Sequence, residues 1–434
     1  MEEIVLSDFG KKLCGPSGIN QLMDDLGKPF PEGVRIVQMG GGNPARIPEV
    51  EKMYRRQMER ILSCGDGFEN LIGRYDSPQG KTSFIRATAE YLSSKYGWKI
   101  GPENIAVTNG SQSAFFYLFN MFAGKTTCGT GSEDRKIVLP LVPEYVGYAD
   151  QPIAENTFVG IPASFEIDGH SFKYHINFEL LENYLDTHGD TGALCVTRPT
   201  NPTGNVLTDE EIRRLSALSK KHGIPLMIDN AYGLPWPDII FTDDAEPFWD
   251  ENVILSMSLS KIGLPSLRTG IIIARSEIIN SISRINAIAA LASGSIGQAL
   301  AGELISSGQL VGTAQRCVRP FYENKSRMTQ EWIHRYFAGT DYAVQKSEGS
   351  IFLWLLMPSL KITTIEFYGI LKEQGIFVMP GEYFFFGGSP DSEFPPVTEH
   401  PHYSKCLRLN YARPADEIEY GIRTIAENYR KFSS

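Results

Sequence analysis

Short apolar segments recur through the middle of the chain and alternate with stretches that have a helical pattern. The apolar segments, each bounded by turn residues, are 105–108, 137–141, 193–196, 226–229, 253–257 and 270–274. Strands that are apolar on both faces lie in parallel sheets that helices cover on both sides. One intervening helix is predicted from the capping box Thr208-Asp-Glu-Glu211, with its end near Gly223. The alternation therefore predicts an α/β fold with a mainly parallel sheet.

The pattern changes after about residue 310. A long helical stretch, alternating strands and a closing amphipathic helix follow at 321–335, 350–356, 377–379, 406–411 and beyond Pro414. A chain of 434 residues is also too long for one ordinary core. We expect a large domain over 49–309, a smaller α+β domain over 310–434, and an N-terminal segment, 1–48, that packs with the smaller domain. The stretch 384–402 is rich in Gly, Pro and Ser and is expected to be a long loop.

The charge of the chain bears on its partners. Its formal net charge is −10, which gives no electrostatic basis for binding nucleic acid or anionic membranes. The first residues lack the pattern of a secretion signal, and no apolar run reaches the length of a membrane span. Small-molecule partners and a cytoplasmic location are therefore expected. The cysteines form no Cys-x-x-Cys pair, and the histidines show only a weak spacing at His400-Pro-His402, so no metal is expected.

Hydroxyls, an amine and a cation follow the apolar run 253–257. The segment 258–261 reads Ser-Leu-Ser-Lys, and Arg268 lies seven residues after its lysine. A lysine held in a closed site can lose its proton and attack a carbonyl group. These groups together suit an aldehyde that carries a phosphate, which indicates pyridoxal phosphate. Ser258-x-x-Lys261 also fits the pattern of serine β-lactamases and penicillin-binding proteins, although the S-D-N and K-T-G motifs of those enzymes do not occur in the chain.

Polar side chains also stand where other apolar strands end. Asp229 closes the run 226–229, and open α/β sheets bind ligands at the carboxyl ends of their strands. A buried carboxylate needs a cationic partner, and a protonated pyridine nitrogen would be one. Asn201 follows the run 193–196 and lies between two prolines, which would hold its amide toward a ring hydroxyl. A capping aspartate and an ordinary proline-rich turn are the structural alternatives.

Two more positions suggest anion binding. After the run 105–108 the chain turns through Gly110 into a helix, where free backbone N–H groups and the Ser111 hydroxyl would form a phosphate seat. Arg408 lies in a strand of alternating pattern, where its guanidinium could hold a carboxylate through two hydrogen bonds. An ordinary helix cap and a structural ion pair are the alternatives for these two positions.

Taken together, these motifs resemble the class I/II aminotransferases of fold type I, and the resemblance covers nearly the whole chain. The residues that carry it are Asn201-Pro202-x-Gly204, Asp229-x-x-Tyr232, Ser258-x-Ser260-Lys261, Arg268 and Arg408. Longer strings at 40–45, 75–81, 109–120 and 348–354 resemble a bacterial branch of that family that acts on valine and pyruvate. The resemblance implies a mainly parallel, seven-stranded sheet between helices in the large domain, which would bind the cofactor.

The resemblance also implies a role for each residue. Lys261 would form a Schiff base with pyridoxal phosphate and later act as general base, while Asp229 would pair with the ring nitrogen. Asn201 and Tyr232 would bond the ring oxygen, and Tyr145 would stack on the ring. The phosphate would be held by Gly110, Ser111, Gln112, Ser258, Ser260, Arg268 and, in a homodimer, Tyr75 of the partner subunit. The substrate carboxylate would be bound by Gly42, Asn201 and Arg408.

The implied reaction is a ping-pong exchange of an amino group between valine, alanine or 2-aminobutyrate and a 2-oxo acid such as pyruvate or 3-methyl-2-oxobutanoate. Relatives that use dicarboxylates carry an extra arginine, whereas the corresponding segment 287–297 has no cation. A C–S lyase or an aminotransferase with another donor is the alternative within the fold. A ligand-sensing regulator would need a DNA-binding module, and the residues before Asn43 show no helix-turn-helix pattern.

Overall fold

The computed structural model describes residues 4–15, 17, 18, 20, 24, 33–128, 131–243, 245–388 and 394–433. In chain order, the strands are β1 (Val37–Gln38), β2 (Ile105–Thr108), β3 (Gly124–Cys128), β4 (Gly131–Val142), β5 (Phe158–Pro162), β6 (Ser164–Asp168), β7 (Ser171–His175), β8 (Thr191–Thr197), β9 (Leu226–Asp229), β10 (Val253–Ser258), β11 (Gly270–Ile273), β12 (Ala343–Gln345), β13 (Phe352–Leu356), β14 (Ile376–Phe377), β15 (Met379–Pro380) and β16 (Cys406–Asn410). Residues 389–393 of the expected loop 384–402 lie outside the described residues.

The α-helices surround these strands. In chain order they are α1 (Asp8–Cys14), α2 (Pro48–Ser63), α3 (Gly67–Gly73), α4 (Thr82–Tyr96), α5 (Ser111–Phe122), α6 (Phe178–Thr187), α7 (Asp209–Lys221), α8 (Ser276–Ala290), α9 (Ser295–Ser306), α10 (Gln309–Thr313), α11 (Arg319–Tyr336), α12 (Thr364–Glu373) and α13 (Ala415–Ser433). Helix α7 begins at the predicted capping box, because the Thr208 hydroxyl accepts the Glu211 N–H at 3.1 Å and the Glu211 carboxylate accepts the Thr208 N–H at 2.8 Å. Among the described residues, none of the helices could cross a membrane.

The larger sheet confirms the α/β prediction. Its strands follow the order β2-β11-β10-β9-β8-β4-β3, and β5 pairs with the second half of β4. Neighbouring strands from β10 to β5 are parallel, whereas β11 is antiparallel to both of its neighbours. Over the described part of the chain the sheet has eight strands, one more than expected, because β3 forms a hairpin with the first half of β4. Residues 124–135 are mostly polar, so no apolar run indicated this hairpin.

The smaller sheet takes strands from two distant parts of the chain. Its order is β15-β16-β13-β12-β7-β6, so the hairpin β6–β7 pairs with β12 although its residues fall inside the range expected for the large domain. Strand β1 pairs in parallel with β14, which brings the N-terminal segment to the second half of the chain. The domain bounds at residues 48 and 309 remain a proposal. In the smaller sheet, the hairpin β6–β7 is a second segment of the chain beside the strands after residue 310.

Three adjacent strands of the larger sheet place their carboxyl ends at one edge. In the register of the sheet, Thr197 of β8 is opposite Asp229 of β9, and Asp229 is opposite Ser256 of β10. All residues of these three strands are buried, as their apolar runs predict. The turns that follow carry Asn201, Tyr232 and Lys261, so these side chains meet at the edge where α/β sheets bind ligands.

Candidate active site

Most of the predicted site residues line one cavity of about 150 Å³. The cavity is lined by Gly42, Ser111, Gln112, Phe115, Tyr145, Val146, Thr197, Asn201, Asp229, Ala231, Tyr232, Ser258, Ser260, Lys261, Arg268 and Arg408. Of the predicted residues, only Gly110 and Tyr75 are absent from this lining. Gly110 immediately precedes Ser111, whereas Tyr75 is 83% exposed and lines a separate surface groove with Leu267 and Gly294. Within one subunit the structure therefore brings twelve of the fourteen predicted residues to one cavity, while their roles stay predictions.

Lys261 directs its amine into the cavity from the turn after β10. Its Nζ donates a hydrogen bond to the Gly42 carbonyl oxygen at 2.7 Å and lies 5.5 Å from the centre of the Tyr232 ring. Burial, followed by the positive charges of Arg408 and Arg268, lowers the pKa of Lys261 to about 8, and the carboxylate of Asp229 opposes this change only in part. A fraction of the molecules therefore carries a neutral, nucleophilic amine near neutral pH.

Asp229 is buried at the end of β9 and receives hydrogen bonds from two neutral groups. The Tyr148 hydroxyl donates to Oδ2 at 2.7 Å, and the Ala231 N–H donates to Oδ1 at 3.1 Å. Burial raises the pKa of Asp229 to about 6, a change that these hydrogen bonds and the charge of Lys261 only partly offset. A cation beside this carboxylate would restore the usual pKa, so the pocket fits a protonated pyridine ring.

The start of helix α5 faces the same cavity from the other side. Gly110 has a φ of +86°, and a Cβ atom built on it would lie 2.2 Å from Nη2 of Arg268, so only glycine lets the guanidinium approach. The buried Ser111 hydroxyl has no hydrogen-bond partner among the described residues. Ser258 Oγ accepts the Ser260 N–H at 3.1 Å. An unpaired hydroxyl, the free N–H groups of a helix and an arginine together fit a phosphate.

Arg408 reaches the cavity from β16 of the smaller sheet. It donates to Asn201 Oδ1 at 2.7 Å and to the Gly40 carbonyl oxygen at 2.6 Å, and its Nε is buried without a partner among the described residues. The guanidinium lies 4.1 Å from the centre of the Phe352 ring. Burial lowers the pKa of Arg408 to about 10, with no carboxylate among its hydrogen-bond partners in the described residues. The side chain is therefore a buried cation suited to an anionic ligand.

Tyr145 is fixed beside the cavity by a small polar contact. Its hydroxyl donates to Gln112 Oε1 at 3.3 Å, and Gln112 Nε2 donates to the Gly147 carbonyl oxygen at 3.0 Å. The Tyr148 ring lies edge to face against the Tyr145 ring, with 5.1 Å between the centres. The orientation of the Tyr145 ring is therefore held before any ligand binds.

Sequence reasoning missed three polar residues at the cavity: Thr197 belongs to its lining, and Glu144 and Tyr148 lie behind it. Tyr148 lies three residues after Tyr145 on a single 3₁₀ turn, and Thr197 is the last residue of β8. Glu144 contacts Thr197 across the gap between two strands. A second tyrosine at helical spacing from Tyr145 was the one available signal, whereas the pairing of Glu144 with Thr197 depends on the register of the sheet.

The two histidines with weak metal spacing have structural partners. His400 Nε2 lies 3.1 Å from the Ala163 carbonyl oxygen, and His402 Nδ1 lies 2.6 Å from the Tyr174 hydroxyl. Burial lowers the pKa of His402 to about 3, which keeps the ring neutral. Within the described ranges, no group of three or more His, Cys, Asp or Glu side chains is placed to hold a metal ion.

Comparison with known proteins assigns this fold and site to one class. The model of the aminotransferase class I and II family matches residues 69–425. The chain belongs to this family, whose members use pyridoxal phosphate.

Three bacterial proteins of this family are similar to the chain over nearly its full length. The chain is 44% identical to the valine–pyruvate aminotransferase of Escherichia coli K12 over 433 residues, with 99% of each chain covered. A crystal structure of valine-pyruvate aminotransferase from Salmonella typhimurium LT2 is 42% identical, with a TM-score of 0.83 and coverage of 95% of this chain and 98% of that one. A putative amino-acid aminotransferase from Psychrobacter arcticum 273-4 has a TM-score of 0.93 at 39% identity, with 99% of each chain covered.

Proposed function

We propose that this protein transfers amino groups between aliphatic amino acids and 2-oxo acids, with valine, alanine or 2-aminobutyrate as donor and pyruvate or 3-methyl-2-oxobutanoate as the oxo acid. One observation carries the proposal: the cavity lining holds the amine of Lys261, the carboxylate of Asp229 and the guanidinium of Arg408 together. The identity of 44% to a valine–pyruvate aminotransferase over almost the full chain supports the choice of substrates.

Lys261 and Asp229 divide the chemistry between them. Pyridoxal phosphate, when bound, supplies an aldehyde for the amino group and a ring that withdraws electrons. Lys261 would hold the cofactor through its amine, and the same amine, when free, would be the general base for the proton of the substrate Cα. Its lowered pKa of about 8 suits a group that both accepts and donates a proton near neutral pH. Asp229 holds a proton on the ring nitrogen, and Asn201 and Tyr232 bind the ring oxygen.

The remaining polar groups bind the two anionic ends of the ligands. The groups that hold the phosphate are Gly110, Ser111, Gln112, Ser258, Ser260 and Arg268, while Tyr145 stacks on the ring. Arg408, Asn201 and the backbone at Gly42 bind the substrate α-carboxylate. Lys261, Arg268 and Arg408 are the cations of the described cavity lining, and each already has a role, so a second carboxylate has no partner there. This distribution favours substrates with apolar side chains.

The exposed surface around Tyr75 supports a homodimer with shared sites. Tyr75 is 83% exposed, and the groove that it lines also contains the exposed side chain of Ile296. Ile72, in the same groove, is 59% exposed. Leu291, which directly precedes Ala292 of the groove, is 61% exposed. Exposed apolar groups of this size commonly mark an interface between subunits. Tyr75 of the partner subunit would complete the phosphate site, and the cytoplasm remains the expected location.

The proposal is tested by a panel of amino donors with pyruvate, run on the wild type and on Lys261→Ala. The wild type should form alanine from valine and pyruvate with a change in the absorbance of the bound cofactor. The turnover of Lys261→Ala should be lower by about 10²-fold to 10⁴-fold because the general base is absent. Release of ammonia without alanine would indicate a lyase and contradict amino transfer. Normal turnover by Lys261→Ala would contradict the assigned chemistry.

A further inference from the structure

A row of four oxygen-bearing side chains leads from Glu144, behind the cavity, to Asp229; Thr197 and Asp229 belong to the cavity lining. Glu144 Oε1 lies 2.6 Å from the Thr197 hydroxyl, and that hydroxyl lies 3.3 Å from the Tyr148 hydroxyl. Tyr148 in turn donates to Asp229 at 2.7 Å. All four side chains are at least 95% buried, so water does not interrupt the row. Glu144 is thus a second buried carboxyl group linked to the one that faces the ring nitrogen.

Backbone contacts fix Glu144 in its place. Its Oε1 accepts the Tyr145 N–H at 2.7 Å, and its Oε2 accepts the Thr197 N–H at 3.0 Å. These bonds connect the chain after β4 with the end of β8 and hold the carboxyl group against the Thr197 hydroxyl. No cation hydrogen-bonds to Glu144 among the described residues. The position is costly for a carboxylate, since burial raises the pKa of Glu144 to about 8 and the charge of Asp229 adds to the effect.

The number of protons in the row decides whether Glu144 can donate a hydrogen bond toward Asp229. Each hydroxyl donates one hydrogen bond. If both carboxyl groups were ionised, Thr197 would donate to Glu144 and Tyr148 to Asp229, and no proton would lie between the two hydroxyls. If Glu144 holds a proton, it can donate to Thr197, Thr197 to Tyr148, and Tyr148 to Asp229. All three contacts then contain a proton, and every donor is directed toward Asp229.

We propose that Glu144 is a positioning residue that acts through Thr197 and Tyr148 to orient Asp229 and keep it ionised toward the ring nitrogen of the cofactor. This inference rests on the proposed function, because it assigns a task to Asp229 that only a bound ring requires. A row of hydrogen bonds that all run one way polarises its members, so the last bond is stronger than an isolated one. Glu144 itself touches neither cofactor nor substrate.

The test uses Thr197→Val, which removes the hydroxyl from the row while keeping the backbone bond to Glu144 and the bond from Tyr148 to Asp229. Each protein is loaded with pyridoxal phosphate labelled with ¹⁵N in the ring, and the ¹⁵N resonance and the cofactor affinity of the apoprotein are measured. We expect Thr197→Val to move the resonance toward the unprotonated value and to weaken cofactor binding about threefold to tenfold, the worth of one hydrogen bond. Thr197→Ser, which restores the hydroxyl, should recover both values.

A double-mutant cycle identifies Glu144 as the origin of the effect. Glu144→Ala should move the resonance in the same direction, and adding Thr197→Val should change it little further, because both substitutions break the same row. The matched control is Glu382→Ala, which removes another buried carboxyl group with a threonine partner. Glu382 Oε1 accepts the Thr364 N–H at 2.9 Å. Among the described residues the Glu382 carboxylate accepts hydrogen bonds from Thr364 and Ile365 and none joins it to Asp229, so this variant should leave the resonance unchanged.

Several outcomes would overturn the inference. An unchanged resonance and affinity in Thr197→Val would do so, as would additive effects in the cycle or an equal shift in Glu382→Ala. If Glu144→Ala does not fold because two backbone N–H groups lose their acceptor, the pair Thr197→Val and Thr197→Ser decides alone. A wild type that does not bind pyridoxal phosphate would contradict the proposed function itself, whereas normal wild-type binding with an unaffected Thr197→Val contradicts only the role of Glu144.

Discussion

Two arginines are buried to nearly the same extent, but the regions around them balance the charge differently. Arg198 is 5% exposed, and its three nitrogens donate to the Leu207 and Glu246 carbonyl oxygens at 2.7 and 2.8 Å and to the Asp209 carboxylate at 2.7 Å. Arg408 is 2% exposed and has an unpaired Nε and no carboxylate partner in the described chain.

The hydrogen bonds of the two regions distinguish a polar group with a structural role from one that awaits a ligand. In the Arg198 region each of the three guanidinium nitrogens donates to an oxygen of the chain, and one of these oxygens belongs to Asp209 of helix α7, so the charge joins the end of β8 to that helix. In the active cavity Arg408 Nε and the Ser111 hydroxyl have no hydrogen-bond partner among the described residues, and the hydrogen bonds to Asp229 come from neutral groups. Buried polar groups are nearly always satisfied, so unsatisfied ones that converge on one cavity indicate its ligands.

The largest expected effect separates the two arginines directly. Arg408→Gln should lower kcat/KM for valine with pyruvate about 10²-fold to 10³-fold, because the substrate carboxylate loses a buried charged partner. The free energy of unfolding should fall less than in Arg198→Gln, since Asn201 and Gly40 lose a donor but no carboxylate among the described residues loses a charged partner. Steady-state kinetics and urea denaturation measure the two quantities.

Arg198→Gln is the matched control for this prediction. It should lower the free energy of unfolding by about 3 kcal/mol, because the Asp209 carboxylate and two carbonyl groups lose their donor. The folded variant should keep the substrate KM of the wild type. An Arg408→Gln variant that loses stability but keeps its activity would erase the distinction between the two regions.

Asp229 is a second buried group that awaits a ligand. Such a group should lower the free energy of unfolding of the protein when no cofactor is bound. Its pKa is raised from 3.8 to about 6, so the folded apoprotein binds a proton that the unfolded chain releases. The contribution of Asp229 to the free energy of unfolding of the apoprotein therefore falls as pH rises from about 4 to 6. Above pH 6 the whole destabilising effect of the buried carboxylate is present. Asp229→Asn should raise the free energy of unfolding of the apoprotein by about 2–3 kcal/mol at pH 7 and by almost nothing at pH 3.5.

The same variant should bind pyridoxal phosphate less tightly than the wild type, since the ring nitrogen loses its anionic partner. Thermal unfolding with and without the cofactor at the two pH values measures both effects. Asp229→Asn that destabilised the apoprotein at pH 7 would show that the carboxylate stabilises the fold and does not await a cation.

The smallest effect belongs to the helix that carries Asp209. Thr208→Ala removes the side-chain cap of helix α7 and should lower the free energy of unfolding by about 1 kcal/mol. The kinetic constants should not change, because the cap lies in the Arg198 region and not in the cavity. Urea denaturation gives the first value, and loss of activity at unchanged stability would contradict the assignment of this region to structure alone.

Sequence patterns predicted those parts of the molecule that depend on neighbouring residues. The apolar runs indicated the parallel strands, the capping box gave the start of helix α7, and residues after strand ends gave Asn201, Asp229 and Lys261. Each of these signals lies within about ten residues of the feature that it predicts. Arg408 was identified from its strand, and its place in the cavity followed from the family resemblance.

The parts that could not be predicted depend on residues far apart in the chain. Glu144 and Thr197 are 53 positions apart and meet because β4 and β8 are neighbours in the sheet. Strand β3 is polar and gave no signal. Tyr75 does not enter the cavity of its own chain, so its predicted role depends on a second subunit.

The hairpin β6–β7 limits how this chain could be divided. A fragment ending at residue 309 would contain the hairpin but not β12, so one edge of β7 would be left unpaired and open to aggregation. A fragment starting at residue 310 would lack two of the six strands of its sheet. Engineering that exchanges the segment 310–434 between relatives must therefore transfer residues 164–175 together with it.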